Sequence, residues 1–292
     1  MSGRFVDSMY TGAVGKRTYK LYIPSGFTGQ PLPLLIMLHD CTQSSVDFAR
    51  GTRMNVLAEK ELCFVAYPEQ AQPANTSKCW NWFQTANQQR DDGEPSLIAG
   101  ITRQIMGNYP VDASRVYVAG LSSGGAMAAI MAATYPDLYA AVGVHSGIAY
   151  GAAQDLPSAF KVMQQGATGP VRSLHEAIPI IVFHGDRDTT VSPLNADRML
   201  EQWLQAAPDR KSSIRESSSQ IAGGHAYTRR IYTDAAGRVL AEKWVIKQAG
   251  HAWSGGSPSG SYTDPQGPDA STEMMRFFAD HPKKATSSPG QA

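Results

Sequence analysis

Long apolar runs are missing from this chain. The longest, residues 32–38, is strand-sized and interrupted by Pro33, far short of the roughly 18 residues a membrane-spanning helix needs. Neither sign of charge dominates. Twenty-six basic and 25 acidic side chains leave a net charge of +1, which removes any bulk electrostatic case for nucleic acid or an anionic membrane. Metal-ligand spacings are also lacking: no Cys-x-x-Cys and no His-x-x-x-His occurs, so no metal is expected, and no cofactor. No apolar stretch follows Met1-Ser2-Gly3-Arg4, so no signal peptide is visible. A cytoplasmic protein and a mature chain begun with a new Met both fit. No internal repeat is present.

Cysteine is scarce, with three residues. Cys63 falls within a buried-strand pattern, Leu62-Cys63-Phe64-Val65-Ala66-Tyr67, and is expected to be a core thiol. Cys41 and Cys79 fall in loops. Paired, they would indicate an oxidising compartment; reduced, they carry no such meaning.

What is present is enough for one large domain. The chain has 292 residues, 42% hydrophobic and 17% charged, a globular balance. Strand patterns at 18–23, 34–39, 62–67, 115–121, 140–145 and 178–184 alternate with helical patterns at 47–61, 96–108, 124–134 and 193–205. Two further strands, 227–232 and 239–246, flank an Asp-Ala-Ala-Gly turn, and 270–280 closes as a helix. Several strands are continuously apolar, as when helices cover both faces of a sheet. The expectation is an α/β fold with a doubly wound, mostly parallel sheet in a single domain. Residues 1–16 read as an N-terminal extension, 17–281 as the catalytic domain, and 282–292 as a disordered, Pro/Ser-rich tail. Two long stretches, 69–95 and 147–177, break the rhythm and are expected to be functional.

One motif carries nucleophilic chemistry. Gly120-Leu121-Ser122-Ser123-Gly124 follows a strand and opens a small-residue helix, the setting of a nucleophile elbow. There Ser122 Oγ would be exposed at the carboxyl end of the sheet, beside a helix N-terminus that favours negative charge. A serine hydroxyl needs a base, and in this arrangement the order along the chain is Ser, acid, His. His251 directly follows the 239–246 strand and is the best-placed base. His225 is an alternative, while His145 and His184 end apolar strands and read as structural. For the acid, Asp188 is favoured over Asp186, because it lies further round the turn after the 178–184 strand. Asp186 is expected to hold that turn. A histidine base should titrate within about a unit of 6.5. Oxyanion donors are expected from the Ser123 N–H and from the turn after the first central strand, at the Cys41 N–H. The alternative for Cys41 is a plain turn.

Five motifs together resemble the polyhydroxybutyrate depolymerase family of esterases, within the α/β-hydrolase superfamily. These are Leu38-His39-Asp40-Cys41-Thr42-Gln43, Cys79-Trp80-Asn81-Trp82-Phe83, Gly120-Leu121-Ser122-Ser123-Gly124-Gly125-Ala126-Met127, His184-Gly185-Asp186-Arg187-Asp188-Thr189-Thr190-Val191 and Gly250-His251-Ala252-Trp253-Ser254-Gly255-Gly256. The resemblance implies an α/β-hydrolase with the triad Ser122, Asp188 and His251, a Cys41–Cys79 bridge, and an extracellular or periplasmic setting. It implies an ester substrate, polymer or oligomer, with feruloyl or acetylxylan esters and poly(aspartic acid) as alternatives. The last would need Arg90, Arg187, Arg229 or Arg230 near the crevice. Trp80, Trp82 and Trp253 are expected either to line an apolar crevice for the acyl chain or to serve as core and loop-pinning aromatics. One departure stands out. The family usually has Gly where this chain has Asp40, and a carboxylate there would oppose the oxyanion. Either Asp40 points away, or activity is reduced.

Overall fold

The structure, a computed structural model, describes residues 3–169, 172–207 and 213–283. In chain order its strands are β1 (Arg4–Gly12), β2 (Gly15–Ile23), β3 (Leu32–Leu38), β4 (Phe64–Pro68), β5 (Val111–Leu121), β6 (Ala141–His145), β7 (Ile180–Gly185), β8 (Ser213–Gln220), β9 (Ala226–Thr233), β10 (Val239–Ile246), β11 (Trp253–Ser254) and β12 (Thr263–Asp264). The helices are α1 (Ser45–Thr52), α2 (Met54–Glu61), α3 (Gly93–Asn108), α4 (Ser123–Thr134), α5 (Leu156–Gln165), α6 (Leu194–Ala206) and α7 (Ala270–Ala279).

Ten strands form one sheet in the order β1-β2-β4-β3-β5-β6-β7-β10-β9-β8. The six central strands, β4 to β10 in that order, run parallel. Antiparallel strands extend it at both edges. The doubly wound, mostly parallel sheet expected from the sequence is therefore the fold.

Strand periodicity explains the two cores. On β3, Leu34, Ile36 and Leu38 point to one face, where they join Ile98 and Ile101 of α3, Met127 and Ile130 of α4, and Met199 and Trp203 of α6. Leu35 and Met37 point to the other, with Phe48 of α1, Met54 of α2 and Phe277 and Phe278 of α7. Both faces are covered, which is why β3 is continuously apolar from Leu34 to Leu38.

Three expectations change. Residues 4–12, read as part of an extension, form β1, paired along its whole length with β2. The single helix expected at 47–61 is two, α1 and α2, separated by Arg53 in the left-handed conformation (φ 55°). Within 147–177 lies α5, started by an Asp155–Ser158 capping box. From residue 284 the expected tail falls outside the described residues. No helix among the described residues is long and apolar enough to cross a membrane.

Candidate active site

Parallel strands deliver their following loops to one sheet edge, and four such loops meet here. Asp40 and Cys41 follow β3, Ser122 follows β5, Asp188 follows β7 and His251 follows β10. β3, β5, β6, β7 and β10 are consecutive neighbours in the sheet, so the loops converge although they lie far apart in sequence.

Ser122 sits in the strained backbone of a nucleophile elbow, at φ 54° and ψ −115°. Its N–H donates to the His145 carbonyl at 2.9 Å, and its carbonyl accepts from the Ala126 N–H of α4. The elbow needs glycine beside it. A Cβ at Gly124 would lie 2.1 Å from the Leu38 carbonyl oxygen and 2.5 Å from that of His39. Ser123 opens α4, so its N–H is a first-turn donor without an intrahelical acceptor.

Asp188 and His251 form a tight pair. His251 Nδ1 donates to Asp188 Oδ2 at 2.7 Å. Asp188 Oδ1 accepts from the N–H groups of Thr190 and Val191 at 2.9 and 2.8 Å. Burial alone would raise the Asp188 pKa, but hydrogen bonding from His184 and His251 and the backbone holds it well below the usual carboxylate range. The choice between the two aspartates follows the turn: Asp186 accepts from the Gln248 N–H at 2.6 Å and pairs with Lys247, so it holds the turn. His225 faces Asp264 at 3.0 Å and belongs elsewhere. His145 is stacked between Phe183 and Trp253, accepts from the Ser254 N–H, and is pushed down to about 3 by burial and by neighbouring His184 and His251, a neutral structural ring.

For His251 the outcome departs from the expected midpoint near 6.5. Burial lowers its pKa, but Asp188 and then Asp40 outweigh that and raise it to about 9. His251 Nε2 is buried and makes no hydrogen bond, so the Ser122–His251 contact is open in this structure.

Asp40 points inward. Its Oδ1 accepts from the Cys41 N–H at 2.6 Å, and its Oδ2 lies 3.6 Å from His251 Nε2. Its side chain has only 5% of its surface exposed. The Cys41 N–H is thus at the site but already engaged. The surrounding turn is fixed on all sides. The Asp40 N–H donates to Gln43 Oε1, and the Asp40 carbonyl accepts from His39 Nδ1. His39 Nε2 accepts from the Gln70 N–H, and the His39 carbonyl accepts from Trp80 Nε1.

Cys41 and Cys79 are disulfide-bonded, with Cα atoms 4.1 Å apart, and Cys63 is a buried free thiol. The bridge joins the β3 turn to the Cys-Trp-Asn-Trp block. Sequence reasoning passed over the anchor of that block, Glu94 in the first turn of α3. It is buried, bonded to the Asn81 N–H and side chain at 2.8 Å each, bonded to Gln70, and faces Arg17 at 3.8 Å. Its only signal was an acidic residue just inside a helix start, which first-turn electrostatics explains equally well.

The crevice expectation is corrected for Trp80 and Trp253. Trp80 is fully buried and Trp253 is 1% exposed, each with its indole N–H satisfied, by His39 and Ser271 respectively. They are core and loop-pinning aromatics, the alternative reading. Trp82 is 6% exposed and stacks edge-to-face on Phe83. Of the four arginines considered for an anionic polymer, Arg90 is paired with Asp137, Arg229 with Glu242 and Arg230 with Glu216.

The family model described as esterase PHB depolymerase matches residues 17–212. Poly(3-hydroxyalkanoate) depolymerase C of Paucimonas lemoignei is 32% identical over 247 residues, covering 79% of this chain and 57% of the relative. Feruloyl esterase B of Neurospora crassa is 30% identical over 237 residues, covering 74% of this chain and 77% of the relative. A probable acetylxylan esterase A of Aspergillus clavatus is 30% identical over 63% of this chain and 64% of its own length. The chain thus spans under two thirds of the depolymerase and of the acetylxylan esterase. Among solved structures, an acetyl xylan esterase from Aspergillus awamori superposes with a TM-score of 0.71 at 21% identity, over 94% of this chain and 99% of that one. The parallel sheet, the elbow at Ser122 and the match over residues 17–212 place this chain in the esterase PHB depolymerase family.

Proposed function

We propose that this protein is a serine carboxylesterase that cleaves ester bonds of short-chain polyester or hydroxyalkanoate oligomers through an acyl-enzyme. The observation that carries the reading is the 2.7 Å Asp188–His251 pair at the sheet edge where the Ser122 elbow opens. Asp188 fixes the ring with its proton on Nδ1, leaving Nε2 to accept. Neutral His251 takes the Ser122 proton as Oγ attacks the ester carbonyl. The tetrahedral oxyanion is stabilised by the Ser123 N–H and, once it is free, by the Cys41 N–H. Collapse expels the alcohol, which receives the proton from His251. A water then gives its proton to His251 and attacks the acyl-enzyme, and collapse releases the acid while His251 returns the proton to Ser122 Oγ.

The names of the relatives support esters as the bond class and leave the acyl group open among hydroxyalkanoate, acetyl and feruloyl. Three of the four candidate arginines being committed to carboxylates speaks against poly(aspartic acid). The Cys41–Cys79 bridge supports an extracellular or periplasmic setting. The test is a substrate panel of hydroxybutyrate oligomers, methyl ferulate, acetylated xylan oligomers and poly(aspartic acid), each with a Ser122→Ala control. Highest kcat/KM on hydroxybutyrate oligomers is expected. Preference for ferulate or acetyl esters would reassign the substrate, and turnover undiminished by Ser122→Ala would remove the serine mechanism.

A further inference from the structure

In the turn after β3, Asp40 places a carboxylate between an oxyanion donor and the base. One oxygen takes the Cys41 N–H at 2.6 Å, and the other stands 3.6 Å from His251 Nε2. Those are the two groups a reacting carbonyl must meet: the donor for its oxygen, and the base that activates its attacker. Asp40 is not among the described residues with positive φ, so a side chain here costs no backbone strain. The turn around it is held by Gln43, His39, Trp80 and the disulfide, so the carboxylate is presented rather than left to wander.

We propose that Asp40 is a positioning residue that gates the oxyanion site: in the free enzyme its carboxylate occupies the place of the substrate's carbonyl oxygen, and substrate must displace it before Ser122 can attack. This rests on the esterase reading above and deepens it.

Two separable consequences follow. The first is steric: the Cys41 N–H becomes available only when Asp40 leaves. The second is electrostatic. His251 lies between two carboxylates, Asp188 on Nδ1 and Asp40 near Nε2, which favour its protonated form. Among the described residues, the other titratable groups facing this cluster are His145 and His184, and His145 is held neutral by burial. Behind the turn, Glu69 and Lys78 flank His39 and pair with each other. A protonated His251 cannot accept the Ser122 proton, so the base becomes competent only as pH rises.

Two variants separate the consequences. Asp40→Asn keeps the shape and removes the charge. Asp40→Gly removes both. With 4-nitrophenyl butyrate, kcat/KM of the wild type should climb with pH toward a plateau near or above pH 9. In Asp40→Asn the midpoint should fall by about one unit, raising kcat/KM at pH 7 about tenfold. In Asp40→Gly the plateau itself should also rise. Direct NMR titration of His251 in the wild type, which needs no variant to fold, should give a midpoint well above 6.5. A wild-type midpoint at or below 6.5, or folded variants with the wild-type profile and plateau, would overturn the gate. A plateau lowered in both variants would overturn it too, making Asp40 an aid to catalysis. Ser122→Ala keeps the two readings apart: if it is inactive while the Asp40 variants change nothing, the gate alone fails; if it is active, the esterase mechanism fails first.

Discussion

Asp40 Oδ2 and His251 Nε2 face each other at 3.6 Å, on the side of the imidazole opposite Asp188. A histidine flanked by two carboxylates gains stability from its charge, and the sign can be worked out. Its folded pKa, about 9, lies above the ordinary 6.5. The stabilisation is therefore fully present below pH 6.5 and is lost as pH rises through 9. Asp188, held below its ordinary range, contributes above about pH 4 and is lost in acid. Urea unfolding of the wild type should show falling stability between pH 6.5 and 10, with a shallower fall in Asp40→Asn. A steeper fall in the variant would contradict the pairing.

The proposed triad roles make a ranked prediction. Ser122→Ala and His251→Ala should each lower kcat by roughly 10⁵–10⁶. Asp188→Asn should cost roughly 10⁴ through the wrong imidazole tautomer. Asp186→Asn should cost far less, because it loosens only the turn that Asp186 holds through the Gln248 N–H and Lys247. If Asp186→Asn proves the more damaging of the two, the acid is misassigned.

Much of this site could be read before the fold was seen. Ser122 was legible because Gly-x-Ser-x-Gly stood between an apolar strand and a small-residue helix, and only an elbow satisfies both. The meeting of Asp188 and His251 was legible because parallel strands send their following loops to one edge. Trp80 and Trp253 were not, since standing next to a catalytic motif in sequence says nothing about which way an indole points; both turned into the core. Strand β8 left no apolar pattern because all eight of its residues are exposed at the sheet edge. Arg53 breaks the helix at a left-handed position with no Asn or Gly to announce it. The direction of the Asp40 carboxylate depended on the Cys41 N–H beside it, a backbone contact that no motif records.

The elbow itself should resist enlargement. A Cβ at Gly124 would meet two backbone carbonyl oxygens, at 2.1 and 2.5 Å, and neither can rotate away. Gly124→Ala should lose about 3 kcal/mol or more of stability, read by chemical denaturation. A loss below about 1 kcal/mol would mean that β3 and α4 can part more easily than this packing allows.

The Cys41–Cys79 bridge spans 38 residues, worth at most roughly 3–4 kcal/mol in the chain-entropy account. It also ties the Cys41 N–H to the aromatic block. Reduction should therefore harm activity more than global folding. Thiol counting under denaturing conditions, on protein purified without reductant, should find one free thiol, Cys63. Three free thiols would remove the bridge and leave the block held by Glu94 and packing.

The central claim is that Ser122 becomes acylated. Protein quenched in acid during turnover of 4-nitrophenyl butyrate, digested and analysed by mass spectrometry, tests it directly. One butyryl group on the peptide containing Ser122, absent in Ser122→Ala, is the predicted result. An acyl group on another residue, or undiminished turnover by Ser122→Ala, would contradict it.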